Sequence, residues 1–157
     1  MKIPTQRWRT MMTRSMTTIW KPQTMAMNKN HIIIHGRVPS KKNSRKAIYT
    51  GGRTIMIPSD QYKAWHAGAM TELYGVKPFE KYPVRVEICF YMPDAIRADL
   101  TNKAESIMDL LVDGGIIGDD NWNVVPEVLL RCMGIDRKDP RAEVTIEKVE
   151  IPIQGNV

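Results

Sequence analysis

The sequence predicts a single-domain mixed α/β (α+β) fold in which two main helices pack on one mixed β-sheet. Three observations carry that expectation. Val84, Val86, Ile88, Phe90 and Met92 alternate with other residues, the period of a strand buried on one face. Residues 60–74 and 100–112 instead repeat their apolar side chains at helical spacing. A chain of 157 residues, 43% hydrophobic and 25% charged, is large enough to fold around one core without staples.

The elements follow in order from His31. Ile32 to Ile34 begin a short apolar strand that ends at Gly36. After a basic loop, Ala47–Tyr49 and Thr54–Ile57 flank Thr50-Gly51-Gly52-Arg53, the pattern of a hairpin turn. Pro58-Ser59 stops the second strand, and Ser59 is suited to cap a helix running to about Tyr74. Tyr62, Trp65, Ala69 and Leu73 give that helix its apolar face. The alternating strand comes next, then a helix from about Leu100 to Val112, ended by Gly114. On a wheel of about 100° per residue, Leu100, Ala104, Ile107, Met108 and Leu111 form its core face. Asn102, Glu105, Ser106, Asp109 and Asp113 form the polar face opposite. Strands over about Glu127–Met133 and Ala142–Val149, joined by a turn at Asp136–Pro140, complete the fold. Cys89 and Cys132 lie in strand-like runs and are expected as reduced core residues, too few for a zinc site. Trp122 is expected to pack, and His31, His35 and His66 are too dispersed to serve as ligands.

Charge narrows the function. The net charge is +6, yet it is unevenly placed. Residues 1–30 carry six Lys or Arg and no acid, and residues 37–53 carry six more and no acid. Neither block has the apolar face of an interfacial helix, so a nucleic acid is favoured over a membrane as partner. No apolar run approaches the roughly 18 residues of a membrane span, and with the two cysteines read as reduced an intracellular location is the expectation. Residues 1–28 hold six of the eleven methionines without any helical or strand period. They read as a flexible basic N-terminal extension or a mis-assigned start, with a targeting peptide as the third reading. The folded domain is expected over 29–152.

Against this basic background, residues 99–121 contain six carboxylates and one lysine. A compact acidic cluster in a basic protein suits a hard divalent cation surrounded by a surface that attracts a polyanion. The helix from Leu100 spans about 20 Å, and Gly115 to Asp120 cover a similar length when extended. A turn at Gly114-Gly115 would therefore return Asp120 to the side of Asp99, with Ile116 and Ile117 holding the return. Carboxylates so close are costly unless a cation lies between them or one is protonated. Each also has a plainer role. Asp99 suits a helix N-cap, Asp119-Asp120-Asn121 suits a turn, and Glu105 and Asp109 suit a solvated helix face.

Asp99-Leu-Thr-Asn, a helix, and then Gly114-Gly115-Ile-Ile-Gly-Asp119-Asp120-Asn121 together resemble the RusA family of Holliday-junction resolvases. Val38-Pro39-Ser40-Lys41-Lys42-Asn43 and Met92-Pro93-Asp94 extend the resemblance, which runs from about His31 to Val149. It implies a RusA-like domain and a Mg²⁺- or Mn²⁺-dependent endodeoxyribonuclease. It also implies action as a homodimer on four-way DNA junctions in recombination and repair, in the cytoplasm of a bacterial or phage-infected cell. On that resemblance Asp99 and Asp120 are the metal-binding carboxylates. The family motif reads Asp-x-Asp-Asn-x-x-Lys, so Thr101 and Glu105 depart from it. Positions 101 and 105 are one helical turn apart, and Glu105 is expected to restore the carboxylate lost at 101, giving a catalytic and metal-binding set of Asp99, Glu105 and Asp120. Asn102 would orient a ligand. Arg37, Lys41, Lys42, Asn43, Ser44, Arg45, Lys46 and Arg97 would contact DNA. The missing lysine leaves Lys103, Arg97 or a lysine of the 41–46 loop to supply a cation at the phosphate. Two alternatives stay open: a catalytically impaired branched-DNA-binding protein of the same fold, and a nuclease acting on other branched DNA.

Overall fold

The computed structural model describes residues 30–150. Residues 1–29 and 151–157, and with them the expected extension, lie outside it, as does the side chain of Asn43. The elements are β1 (Asn30–His35), a 3₁₀ turn (Lys41–Asn43), β2 (Arg45–Thr50), β3 (Arg53–Pro58), α1 (Asp60–Glu72), β4 (Val84–Met92), α2 (Leu100–Asp113), β5 (Glu127–Ile135) and β6 (Arg141–Lys148).

Four strands form one mixed sheet in the order β1-β6-β4-β5, while β2 and β3 form a separate hairpin. β1 and β4 both pair antiparallel to β6, and β4 pairs parallel to β5. A parallel pair needs a crossover connection, and α2 lies in it. Thus α2 is carried across the sheet by the topology itself.

Alternation decides what is buried. Val84, Val86, Ile88 and Phe90 of β4, Ala142, Val144 and Ile146 of β6, and Ile32 and Ile34 of β1 are all buried. Ala104, Ile107, Met108, Leu110 and Leu111 of α2 join them in one core, with Ala69 and Leu73 at the end of α1. The intervening strand residues point to the other face, where Arg85–Glu127, Arg131–Glu87 and Arg141–Glu143 form ion pairs.

Local chemistry sets the boundaries. The Ser59 hydroxyl accepts from the Tyr62 amide and starts α1. Gly51 and Gly52 have φ of 56° and 78°, the two left-handed positions that a tight hairpin turn demands. Gly114 caps α2, but the left-handed residue is Gly115 at φ 66°, which reverses the chain.

Four expectations need correction. Lys103 and Ser106 of α2 are buried, because the Val38-Pro39 segment lies over that side of the helix. Cys89 is only half-buried, since it alternates with Ile88 and Phe90 and points to the ion-pair face of β4, and Cys132 is exposed, since β5 is an edge strand among the described residues. Trp122 does not pack: it is 75% exposed. The segment 41–43, read as loop, is a 3₁₀ turn.

Candidate active site

The site is framed by one face of α2. Lys103, Ser106 and Asp109 recur every three residues and so lie along one side of the helix. The Lys103 ammonium donates to the Val38 carbonyl, and the Ser106 hydroxyl donates to the Pro39 carbonyl at 3.0 Å. Asp109 then takes the Lys41 ammonium at 2.9–3.0 Å. Three successive contacts therefore hold the segment 38–41 against the helix and point Lys41 along it. Burial pushes the Lys103 pKa down, reinforced by the nearby Arg37 charge and opposed by Asp94. With its ammonium spent on Val38, Lys103 is a clamp and cannot reach a phosphate.

At the helix start, Asp99 is the N-cap. Its carboxylate accepts from the Thr101 amide at 2.9 Å, the Thr101 hydroxyl at 2.6 Å and the Asn102 side-chain amide at 2.7 Å. The Thr101 hydroxyl and amide hold Asp99 below its ordinary carboxylate range. Its charge is thus secure at neutral pH.

At the other end, the chain does turn back. Ile116 and Ile117 are buried, and both their amides donate to the Leu111 carbonyl. Gly118 N–H donates to the Tyr82 hydroxyl at 2.7 Å. Asp119 folds onto its own turn, accepting from the Asp120 amide and the Asn121 side chain, and the Asn121 contact holds its pKa down. Asp120 is left facing a cavity.

That cavity, of about 380 Å³, is lined by Lys41, Thr101, Glu105, Asp109 and Asp120, with Val128 and Leu130 of β5 as its apolar wall. An adjoining cavity of about 420 Å³ is lined by Lys41, Lys42, Arg45, Asn102 and Glu105. Glu105 and Lys41 lie at the boundary of both. Asp99 is bound to Thr101, which lines the first cavity, but Asp99 itself lines neither of the two and is exposed. Tyr62 adds to the setting from α1: burial, with Asp109 and Asp113 nearby, pushes its pKa up to about 12, so the phenol keeps its proton.

The other expected DNA contacts divide. Arg37 is paired with Asp94 at 3.0 Å and Lys46 with Asp60 at 2.7 Å. Arg97 is exposed. Ser44 is corrected: it is 7% exposed, and its hydroxyl donates to the Ser40 carbonyl, so it braces the loop and offers nothing to a ligand. Sequence reasoning missed Asp109, whose place at i+4 from Glu105 on the same face was the available signal. It also missed that Thr101, bonded to Asp99, lines the cavity.

Fold and site define a mixed α/β domain with an acidic cleft, rimmed by lysine and arginine, on its helical layer. The chain belongs to the RusA endodeoxyribonuclease family, whose model matches residues 35–147. No curated protein gives a significant match to it.

The family implies a divalent cation, and the donors can be tested against it. Among the described residues no three His, Cys, Asp or Glu side chains converge as a ready-made metal group. Glu105 and Asp120 do share one open cavity, and both are hard oxygen donors. Mg²⁺ is commonly held by one or two carboxylates with water completing its shell. The donor set therefore fits a hydrated Mg²⁺ or Mn²⁺, and it does not fit a fully protein-ligated ion.

Proposed function

We propose that the chain is a metal-dependent endodeoxyribonuclease that resolves four-way (Holliday) DNA junctions by phosphodiester hydrolysis, acting as a homodimer. The observation that carries the reading is the cavity in which Glu105 and Asp120 face Lys41, within a domain of the RusA family. Glu105 and Asp120 would hold the cation, with Asp99 contributing from beside Thr101 and Asn102 fixing the Asp99 carboxylate. The ion supplies Lewis-acid polarisation of a phosphoryl oxygen and activation of water.

Lys41 takes the part of the lysine that the family motif carries at position 105. It is half-buried in the cavity and steered by Asp109, so its charge meets the phosphate where negative charge accumulates. Lys42 and Arg45, lining the adjoining cavity, hold the flanking phosphates. Arg37, Lys46 and Arg97 add weaker contacts, the first two from existing ion pairs.

The homodimer is supported by β5. This nine-residue edge strand leaves Val128, Leu129, Met133 and Ile135 between 39% and 51% exposed. A long apolar edge needs a cover, and a second copy about a two-fold axis would supply it and the second site for the opposed cut. The reading places the protein in the cytoplasm. Among the described residues no helix is long and apolar enough to cross a membrane.

The absence of a three-donor group among the described residues favours one other reading, a branched-DNA-binding protein that does not cut. Titrating Mn²⁺ against a mobile four-way junction, a fork and a linear duplex separates them. The proposal expects metal-dependent cleavage with the junction cut fastest. Junction affinity without cleavage at any Mn²⁺ concentration would leave the binding protein. Equal cutting of all three substrates would remove junction resolution.

A further inference from the structure

The β2–β3 hairpin takes no part in the core. It is not hydrogen-bonded to the main sheet, and its six-residue strands extend about 20 Å. Its base is tied down by Ser59 N–H to the Ser44 carbonyl at 2.7 Å and by Lys46 to Asp60. A two-stranded hairpin with one free end is marginal in water, so its persistence calls for something to lie against it.

The register defines what it presents. Arg45↔Pro58, Ala47↔Met56 and Tyr49↔Thr54 are directly opposed and share one face. All six residues of that face are exposed, Tyr49 at 77% and Met56 at 57%. The opposite face carries Ile48, Ile55 and Ile57, which are half-buried, with Lys46, Thr50 and Arg53 exposed among them. No Asp or Glu occurs from residue 37 to 59, while Arg45, Lys46 and Arg53 lie on the hairpin itself. Arg45 also lines the cavity that opens beside Glu105, so the exposed face is continuous with the cleft.

From these features we infer that the hairpin is a DNA-gripping arm: Arg45 holds a phosphodiester backbone, and the Tyr49 ring on the same face stacks on a base left unstacked at the branch point. The inference rests on the branched-DNA reading above and adds the element that would recognise the branch. The charge is complementary to a polyanion, and an exposed aromatic beside cations is the pattern of a sequence-tolerant stacking platform. Intact duplex presents no such base, so Tyr49 would matter for junctions and not for linear DNA.

The test uses the full chain without divalent metal, so that binding is read apart from cleavage. The probes are a four-way junction with 2-aminopurine at the branch point and a linear duplex of matching sequence. Tyr49→Ala should weaken junction binding about 10-fold, abolish the quenching of 2-aminopurine and leave duplex affinity unchanged. Tyr49→Phe should keep both affinity and quenching. Arg45→Gln should lower the slope of log affinity against log salt by about one unit on both probes. Wild-type quenching and affinity in Tyr49→Ala would overturn the proposal while leaving the nuclease reading intact. An equal loss on duplex would overturn it too. So would a shift from dimer to monomer in sedimentation, which would assign the face to contact between copies. Absence of cleavage by the wild type with Mn²⁺, with the Tyr49 effects preserved, would instead sink the nuclease reading alone.

Discussion

The segment from β4 through α2 and the basic segment from Arg37 to Pro58 are built on opposite principles. In the first, alternate residues of β4 are buried and α2 covers them, so position is fixed by packing. In the second, few side chains are buried, and the segment is positioned by polar contacts that α2 sends out to it. Acidic groups sit on the packed element and the cations facing them come from the loosely packed one. The cleft therefore depends on the Lys103, Ser106 and Asp109 contacts as much as on the hydrophobic core. Substitutions on the two sides should then fail differently.

The largest effect is expected on the packed side. Asp99→Asn removes the charge but keeps a side chain that caps helices as well as aspartate does. Junction cleavage should fall by about 10³-fold, with thermal stability and junction binding little changed. A drop in Tm matching the loss of activity would show that Asp99 serves only the helix. On the polar side, Lys41→Met should lower single-turnover cleavage by about 10²-fold while costing less than 10-fold in junction affinity. If Lys42→Met does the same and Lys41→Met does not, the cation has been assigned to the wrong lysine.

Breaking the joint between the two regions should give an intermediate result. Lys103→Met leaves the buried Val38 carbonyl without its partner, which costs about 1–3 kcal/mol, and should loosen the 38–41 segment. The pH dependence has a definite sign. Burial holds the folded-state pKa of Lys103 below its ordinary 10.5, so the unfolded chain binds more protons between those two values. The Lys103 contribution to stability should thus rise with pH across that window, and Lys103→Met should lose this dependence in urea melts. The smallest effect belongs to the exposed Lys46–Asp60 pair. Lys46→Gln should leave the urea midpoint nearly unchanged, because exposed ion pairs contribute little, and a clear loss would mean that the base of the hairpin is held more firmly than an exposed ion pair allows.

Much of the packed region was legible in the sequence, because alternation in β4 and the apolar arc of α2 depend on nearest neighbours and on one sheet. The caps at Ser59 and Gly114 and the hairpin turn at Gly51-Gly52 follow from backbone chemistry and were equally readable. What could not be read came from elements distant in the chain. Lys103 was one candidate for the cation at the phosphate, and only the Val38 carbonyl arriving from 65 residues away makes it a buried clamp instead. Trp122 and Cys132 looked like core, but the turn before β5 and the edge position of β5 leave both exposed. Among the candidate site residues, Asp120 shares a cavity with Thr101 and Glu105, whereas Asp99, expected at its side, lines neither cavity. Asp99 proved to be tied into the cap, and Asp109, read as a solvated residue, steers Lys41.

The most direct measurement of the central claim is single-turnover cleavage of a four-way junction in Mn²⁺ by Asp120→Asn, compared with wild type at saturating protein. The cleft described here predicts that the variant binds the junction at least as tightly as wild type and cuts it roughly 10³-fold more slowly. Cutting at the wild-type rate would contradict it, because the carboxylate that the reversed chain brings into the cavity would then have no part in hydrolysis.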